Sequence, residues 1–385
     1  MNILNLGTLP VKSWAADVEE GALLQAKNLS NLPFAFKHIA IMPDVHEGYG
    51  MPIGGVLACE GMIIPNAVGV DIGCGIVAAK TDVDNKELSK ENIKVIIDRA
   101  YKYGTIPVGF NHHKKPQEWE GFEQFPDLKI FNQEFNSAKR QLGTLGGGNH
   151  FCSIESGSDG YIWLMIHSGS RNLGYKVANH YNSIAKKIND SSNNPIPKEY
   201  DLAPLKIDSD EGKEYFAAMN YCLDFAKANR EKLLDAFYSI FQKVTSSKEI
   251  LEKIDIHHNY AANETHYNTE VVLHRKGATS ANRGELGIIP GSMGTSSYIV
   301  EGLGNPESFN SCSHGAGRVI GRKQANRVFT EEMANKAMEG IVFKDWKGDY
   351  AEAPMAYKDI EEVMNNQKDL VKPLVKLSPL GVMKG

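Results

Sequence analysis

The stretch Val68-Gly69-Val70-Asp71-Ile72-Gly73-Cys74-Gly75 runs into the apolar segment Ile76-Val77-Ala78-Ala79-Lys80, which has the composition of a buried β-strand. The pattern also places Asp71 in apolar strand surroundings, where a carboxylate needs a partner. If the turn Ile72-Gly73 folds back, Asp71 and Cys74 reach one metal ion. The competing interpretation is that Cys74 is a small buried hydrophobe. The neighbouring Asp71 favours the metal site.

Four further segments place histidine beside glycine, asparagine or serine. Glycine lets the backbone approach a ligand closely, and thiolate, carboxylate and imidazole groups are metal ligands. Five such segments in one chain predict an enzyme with a metal-centred active site. The four segments are Gly146–His150, His167–Arg171, His257–Tyr260 and Ser313–Arg318.

Within these segments the residue types indicate different roles. Asn149 offers an amide to bind oxygen, and His150 offers an imidazole to bind metal. His167 follows the apolar strand 161–166, and Arg171 carries a planar fork that suits phosphate. The adjacent histidines of the third segment point to opposite sides of an extended chain, and the residues alone do not choose between 257 and 258.

His314 lies in a turn of small residues that leaves its ring accessible. A neutral imidazole is a good nucleophile toward phosphorus at cytosolic pH, so this turn suits covalent phosphoramidate chemistry as well as metal binding. Arg318 follows at a distance that suits an oxyanion. The turn 289–294, followed by three hydroxyl residues, supplies further donors for a nucleotide.

Composition restricts the class of protein. The 385 residues are 42% hydrophobic, and the five cysteines lack a CxxC pair, which argues against a disulfide framework and a zinc ribbon. We find no signal peptide and no membrane span, and therefore expect a cytoplasmic protein without a membrane partner. A net charge of −5 means that any RNA groove must be local, with the basic cluster Arg318, Arg322, Lys323 and Arg327 as a candidate.

The pattern of helices and strands predicts an α+β fold, one compact catalytic domain over residues 1–385 with mixed sheets flanked by helices. Strands are predicted at 37–43, 75–80 and 161–166, with short strands from 268 to 300. Residues 1–80 are otherwise predicted as short strands and turns. Helices are predicted at 89–103 and 209–244, the second with an aromatic stripe that we assign to core packing. Further helices are predicted to start at Ser246, at Thr330 and near Lys358.

Together these motifs resemble the RtcB family of RNA-splicing ligases, in the order of the family and over nearly the whole chain. The residues that carry the resemblance are Pro43–Gly50, Gly69–Gly75, Gly148–Phe151, His167–Arg171, His258–Tyr260, Pro290–Gly294, Ser313–Arg318, Met355–Lys358 and Lys384–Gly385.

The resemblance implies a GTP- and Mn²⁺-dependent ligase that joins an RNA 3′-phosphate or 2′,3′-cyclic phosphate to a 5′-hydroxyl. His314 is implied as the nucleophile that forms a histidine–GMP adduct. Two Mn²⁺ ions are implied, although thiolate and imidazole by affinity alone favour Zn²⁺. An archease-like protein is a candidate activator, and tRNA splicing and RNA repair are both open as the setting.

The resemblance also assigns the site residues one by one. The implied metal ligands are Asp71, Cys74, His150, His167 and His258, with Cys74 bridging two ions. The implied nucleotide-binding residues are Asn149, Phe151, Ser153, Pro290, Gly291, Ser292, Met293, Ser297, Gly315, Ala316, Gly317, Tyr357 and Lys384. The residues implied to contact RNA or phosphate are Asp44, Arg171 and Arg318.

One position departs from the family pattern. Many members carry a glutamate three residues after the histidine of the Asn-His-Phe motif, where it contacts guanine, and this chain has Ser153 there. Glu155 lies on the same face of a strand and is a candidate substitute. Two other functions remain open: a two-metal phosphodiesterase or phosphatase, which would not need His314, and an RNA-end-binding accessory protein that has lost guanylylation.

Overall fold

The computed structural model describes residues 1–102 and 105–385, and it confirms the α+β class. The strands along these residues are β1 (Asn2–Leu4), β2 (Val11–Ser13), β3 (Ala35–His46), β4 (Ile53–Cys59), β5 (Met62–Ile63), β6 (Gly75–Asp84), β7 (Phe151–Gly157), β8 (Tyr161–Ser168), β9 (Leu205–Lys206), β10 (Ile250–His257), β11 (Asn259–His266), β12 (Thr269–Lys276), β13 (Ala278–Ser280), β14 (Leu286–Ile289), β15 (Ser297–Gly302), β16 (Ser311–Ser313) and β17 (Val371–Lys384). The α-helices are α1 (Glu20–Ser30), α2 (Pro65–Val68), α3 (Lys90–Tyr101), α4 (Lys129–Gln141), α5 (Arg171–Asp190), α6 (Asp210–Thr245), α7 (Arg322–Val328), α8 (Glu331–Ala337) and α9 (Ile360–Asn365).

Two large sheets organise the molecule. One has six strands in the order β1-β2-β3-β4-β12-β11, and the other has seven in the order β10-β6-β8-β7-β17-β15-β14. Two further sheets have two strands each, β13 with β16 and β5 with β9. The larger sheet is covered on one face by α3 and α6, whose apolar residues pack against β6, β7 and β8.

The antiparallel register of the larger sheet brings several chain segments to one edge. β8 pairs antiparallel with β6 and with β7, and β10 pairs antiparallel with β6. Therefore β6 and β7 begin at this edge, and β8 and β10 end there. The register places Gly75 opposite Ser168 and His257, and Phe151 opposite His167. Residues flanking these strand ends therefore meet although they are up to 184 positions apart, the separation of Gly73 and His257.

One residue connects the two large sheets. β10 of the seven-stranded sheet ends at His257, and β11 of the six-stranded sheet begins at Asn259. His258 is the link between them, and its backbone N–H donates to the carbonyl oxygen of Cys74 at 2.9 Å. The sheet junction thus lies at the same edge as Cys74.

Local sequence explains several helix boundaries. Ser89, Ser209 and Thr330 each cap a helix by accepting a hydrogen bond from the backbone N–H three residues later, which confirms the helix start predicted at each of them. The predicted aromatic stripe of α6 is in the core, where Tyr215 and Phe225 are fully buried. The predicted end of α3 at Tyr103 lies outside the described residues.

Other predicted elements were wrong or missing. Ser246 does not start a helix: it ends α6 in the left-handed conformation, with φ 63°, and β10 follows. A serine can lie at either end of a helix, and here the pairing of β10 with β6 makes Ser246 the end of α6 rather than the start of another helix. Helix α1 interrupts a region that had been predicted as strands and turns, and α4 and α5 were not predicted. Among the described residues, no helix is long and apolar enough to cross a membrane.

Candidate active site

The donor atoms of four predicted metal ligands converge at the shared edge of the larger sheet. The Cys74 Sγ lies 3.2 Å from His167 Nε2 and 3.4 Å from His150 Nε2. His167 Nε2 lies 3.0 Å from His258 Nε2. The three side chains Cys74, His150 and His167 are buried, with donor atoms within 4.8 Å of one another.

Asp71 completes this cluster through a tight turn. Its Oδ2 lies 3.2 Å from His150 Nε2, and its side chain is 32% exposed. Asp71 lies in the turn after α2 rather than in a strand, which corrects that detail of the sequence interpretation. Cys74 N–H donates to the Asp71 carbonyl oxygen at 3.1 Å, and Gly73 has φ 71°, a conformation that glycine adopts without strain. The fold-back that would let Asp71 and Cys74 share an ion is therefore present.

Backbone carbonyls orient the imidazoles. His167 Nδ1 donates to Asn149 O at 3.0 Å, and His150 Nδ1 lies 3.0 Å from Leu145 O. With the proton on Nδ1, the lone pair on Nε2 of His167 faces the cluster, which is the tautomer that a metal ligand requires. His150 Nδ1 also lies 3.1 Å from Arg171 NH1, so a carbonyl and a guanidinium together hold this ring.

A buried arginine supports the loops that carry the cluster. Arg230 is fully buried, and its NH1 donates to Gly73 O at 3.0 Å and to Ser168 O at 3.2 Å. Its NH2 pairs with Asp255 at 2.5 Å, which balances the buried charge. Arg230 thus ties the residue before Cys74 to the residue after His167.

Burial and neighbouring charges set the protonation of the cluster. Burial lowers the pKa of His167 and of His258 well below the ordinary value, so both rings are neutral at pH 7. Burial raises the pKa of Asp71, but the hydrogen bond with His150 and the charges of His150 and Arg171 outweigh it and bring this pKa to about 2. Burial and the adjacent Asp71 raise the pKa of the Cys74 thiol. A cation that binds here must displace the thiol proton.

The donor set fits divalent metal ions. It offers a thiol, a carboxylate and three imidazoles, all of which are metal ligands in their deprotonated forms. Five donor groups exceed the four of a closed tetrahedral site, so the set has ligands for two ions if Cys74 is shared.

A separate pair of side chains lies beside the cluster. The His314 ring centroid is 4.8 Å from that of His258. His314 Nδ1 donates to Asp44 Oδ2 at 2.6 Å, and the same oxygen accepts the backbone N–H of His314 at 3.1 Å and of Gly315 at 3.3 Å. Asp44 is fully buried. The Nε2 lone pair of His314 is therefore the free nucleophilic position, oriented as in other histidine–aspartate pairs.

Close backbone contact explains why glycine follows this histidine. Gly317 has φ 73°, and a Cβ built there would lie 2.1 Å from Asp44 O. No other residue fits between the turn of His314 and the end of β3. The glycine thus holds the histidine turn against the strand that carries Asp44.

A cleft of about 980 Å³, which includes the solvent at its mouth, opens in front of His314. All thirteen residues predicted to bind the nucleotide line this cleft: Asn149, Phe151, Ser153, Pro290, Gly291, Ser292, Met293, Ser297, Gly315, Ala316, Gly317, Tyr357 and Lys384. His150, His167, His314 and Arg318 line it as well, whereas Asp44, Asp71, Cys74, Arg171 and His258 are not among its lining residues.

The three residues predicted to contact RNA or phosphate have protein partners. Asp44 holds His314, as described above. Arg171 contacts His150 Nδ1 through NH1 at 3.1 Å. Arg318 donates to Ile320 O at 3.1 Å, to the Glu352 carboxylate at 3.0 Å and to Ala351 O at 2.6 Å. Its guanidinium thus makes hydrogen bonds within the protein. Contact of these three residues with RNA stays a prediction.

Several side chains in the cleft were not among the predicted catalytic, metal-binding, nucleotide-binding or RNA-contacting residues. Arg322, which belongs to the basic cluster noted in the sequence, pairs with the buried Glu352 at 2.7 Å and remains 53% exposed. His46 lies at the end of β3, two residues after Asp44, and donates from Nδ1 to Asp44 O at 2.9 Å. The motif Asp44-Val45-His46 was the signal for it. The other lining residues outside the predicted site set are Gly148, Ile53, Glu155, Met165, Glu352 and Val382, of which Glu155 was the candidate substitute for the guanine-contacting glutamate.

Comparison with known proteins agrees with this geometry. The family model described as tRNA-splicing ligase RtcB matches residues 25–127 and 108–385. The chain is 38% identical over 407 residues to the RNA-splicing ligase RtcB of Escherichia coli strain K12, covering 100% of this chain and 99% of the relative. It is 31% identical over 445 residues to the tRNA-splicing ligase RtcB of Thermococcus kodakarensis, covering 95% and 92%. It is 32% identical over 435 residues to the RNA-splicing ligase RtcB of Mycobacterium tuberculosis, covering 94% and 100%.

Proposed function

Since this chain belongs to the RtcB family and is an RNA ligase, we propose that it joins RNA 3′-phosphate or 2′,3′-cyclic phosphate ends to 5′-hydroxyl ends through a histidine–GMP intermediate. The observation that carries the proposal is the placement of His314. Its Nδ1 is held by the buried Asp44, and its free Nε2 lies beside the metal-type cluster at the cleft.

The first step forms a phosphorus–nitrogen bond. His314 Nε2 attacks the α-phosphorus of GTP, the bond between the α- and β-phosphates breaks, and pyrophosphate leaves. The Nδ1 proton stays between His314 and Asp44, whose carboxylate stabilises the positive charge that develops on the ring. Because Asp44 is already fixed by two backbone N–H groups, the ring needs little reorientation.

The metal ligands are Asp71, Cys74, His150, His167 and His258, and the ions proposed are two Mn²⁺. Bound there, divalent cations supply charge neutralisation and alignment of phosphate groups. The chain's own contribution is to hold the imidazoles with Nε2 directed inward and to shield the Cys74 sulfur from solvent.

The remaining steps concern RNA. Water first opens a 2′,3′-cyclic phosphate end by breaking the bond between phosphorus and O2′, which leaves a 3′-phosphate and a 2′-hydroxyl. An oxygen of the 3′-phosphate then attacks the phosphorus of the histidine adduct and the phosphorus–nitrogen bond breaks, which frees His314. The RNA 5′-hydroxyl then attacks the 3′-phosphate and GMP leaves, which seals the strand. Lys384 and Arg322 line the cleft and are the cations we propose to hold the RNA phosphate there.

The wider setting follows from the family and the composition. We propose that residues 1–385 form one catalytic unit in the cytoplasm and that an archease-like protein activates it. The local basic surface at Arg322, rather than the net charge of −5, would then guide RNA to the cleft.

Incubation with Mn²⁺ and α-labelled GTP tests the proposal. We expect the label to become covalently bound to the parent protein and to a His112→Ala control at an exposed position, but not to a His314→Ala variant. The same proteins are then assayed for joining of a 3′-phosphate RNA to a 5′-hydroxyl RNA, with and without an archease-like protein. Release of phosphate from RNA ends by His314→Ala at the parent rate, without any labelling of the parent, would instead favour a two-metal phosphatase.

A further inference from the structure

The end of the cleft away from the metal cluster carries two buried polar side chains. Ser153 and Glu155 are 1% and 3% exposed, and both line the cleft. Apart from an interaction with each other, the Ser153 Oγ and the Glu155 Oε2 have no hydrogen-bond partner among the described residues. Because an unsatisfied buried polar atom costs about 1–3 kcal/mol, such atoms in a cleft point to a ligand.

Strand register explains their position. β7 begins right after His150, and its alternate residues Cys152 and Ile154 face the apolar core, so Ser153 and Glu155 face the cleft. At about 3.3 Å per residue, Ser153 and Glu155 lie roughly 10 and 16 Å along the strand from His150. A nucleotide whose α-phosphate is at His314 would extend its base along this direction.

The walls around the two residues suit a flat aromatic base. Phe151 and Met293 are apolar lining residues, as are Met165 and Val382, which pair with Ser153 from the strands on either side of β7. Apolar walls with a few polar groups are the usual construction of a small-molecule site. The polar groups then decide which base is accepted.

Glu155 differs from most site carboxylates in having no cation beside it. Among the described residues, no ion pair involves Glu155, and its side chain is almost fully buried. A carboxyl group in such surroundings is neutral, since burial penalises the charged form. In agreement with this geometry, burial raises the pKa of Glu155 to about 8.

A neutral carboxylic acid and a carboxylate recognise different partners. The carboxylate offers two acceptors, which fit the N1–H and amino group of guanine. The neutral acid offers one donor beside one acceptor. That pattern fits O6 and N1–H of guanine, and it fits N1 and the amino group of adenine equally well.

We propose that Glu155 reads the purine base as a neutral acid, and that the cleft therefore accepts adenine as well as guanine nucleotides. The inference rests on the proposed function for the position of the nucleotide. It concerns a residue two positions beyond Ser153, whose small side chain leaves room for the base to reach Glu155.

Equilibrium binding of fluorescent GTP and ATP to the full chain with Mn²⁺ tests this. We expect the two dissociation constants to lie within about tenfold of each other. Glu155→Gln keeps one donor and one acceptor, so the dissociation constants for GTP and ATP should each stay within about threefold of the parent values. Glu155→Leu removes the donor and the acceptor, so the binding of GTP and of ATP should each weaken by about tenfold or more. Ser156→Ala, on the same strand but outside the cleft lining, is the matched control, and thermal unfolding checks that each variant is folded.

Two results would overturn the inference. One is ATP binding more than about tenfold weaker than GTP binding, together with loss of GTP binding in Glu155→Gln, which would indicate a carboxylate that selects guanine. The other is unchanged binding of both nucleotides in Glu155→Leu. Either result leaves labelling of His314 by GTP intact, whereas absence of any labelling would count against the proposed function itself.

Discussion

The carboxylate of Asp44 accepts a hydrogen bond from His314 Nδ1 at 2.6 Å across 270 positions of sequence. The contact joins the end of β3 in the six-stranded sheet to the turn after β16. Its consequence is chemical, because a proton on Nδ1 leaves the lone pair on Nε2, where the cleft lies. We therefore expect Asp44 to act through the tautomer of His314.

Replacing Asp44 by asparagine should reduce labelling of His314 by GTP. An amide can donate to Nδ1 and so favour the tautomer with the proton on Nε2, which cannot attack phosphorus. We expect a loss of about 10²- to 10⁴-fold in the rate of labelling, with metal content unchanged. Quenched-flow labelling with α-labelled GTP measures it. Asp190→Asn, at an exposed ion pair, is the control, and labelling of Asp44→Asn at the parent rate would contradict the assigned role.

Removing the thiol of Cys74 should remove bound metal. The side chain lies between the imidazoles of His150 and His167, so its loss opens both parts of the cluster. We expect Cys74→Ala to bind Mn²⁺ at least 100-fold more weakly. Mutation of residues that only hydrogen-bond to a metal ligand already lowers metal affinity by about 10- to 100-fold. Metal analysis after dialysis and calorimetric titration measure this. Cys59→Ala, also a buried cysteine but in β4, should retain the metal.

Replacement by alanine should destabilise the fold at one of two nearby glycines and have little effect at the other. At Gly317, with φ 73°, a Cβ would strike Asp44 O, so we expect Gly317→Ala to cost about 2–4 kcal/mol and to displace His314. At Gly321, which precedes α7, nothing lies within 4 Å of the Cβ position. Gly321→Ala should therefore change the free energy of unfolding little. Chemical denaturation and His314 labelling distinguish the two, and equal effects would contradict the close contact.

Acid should destabilise the fold through its buried neutral histidines. His274 is fully buried, accepts from Ile64 N–H at Nε2 and donates from Nδ1 to Leu57 O. Burial lowers the pKa of His274 to about 4, against the ordinary value of 6.5 in the unfolded chain. Between pH 4 and pH 6.5 the unfolded chain binds more protons at His274 than the folded chain does. The stabilisation of the fold by neutral His274 is therefore complete above pH 6.5 and falls by roughly 3 kcal/mol as the pH decreases toward 4.

Urea unfolding from pH 7.5 to pH 4.5 measures that loss. His274→Gln keeps a donor and an acceptor but cannot titrate, so its free energy of unfolding should fall less steeply with acid than that of the parent. His112→Gln, at an exposed position, should follow the parent curve. Equal slopes for His274→Gln and the parent would exclude His274 as a source of the pH dependence.

Much of the fold and of the candidate site was predictable from local pattern. The strand after Cys74, the caps Ser89 and Thr330, and the core stripe of α6 depend on neighbours within a few residues, and all are confirmed. Ser246 was predicted wrongly, because the same residue type favours both a helix start and a left-handed helix end. The predicted metal and nucleotide residues came from the family resemblance: the predicted nucleotide set lines one cleft, and the predicted metal ligands form a cluster.

Residue types and their short-range spacing already specified which groups could perform the chemistry: a thiol, a carboxylate, imidazoles and glycine-rich turns. Only the tertiary structure decided how they combine. His258 rather than His257 faces Cys74 and His167 because it is the link between β10 and β11, and adjacent residues of extended chain point opposite ways. The partner of His314 and the isolation of Glu155 from any described cation depend on strand pairing between distant segments, and burial and charge at such sites exist only once those strands have met.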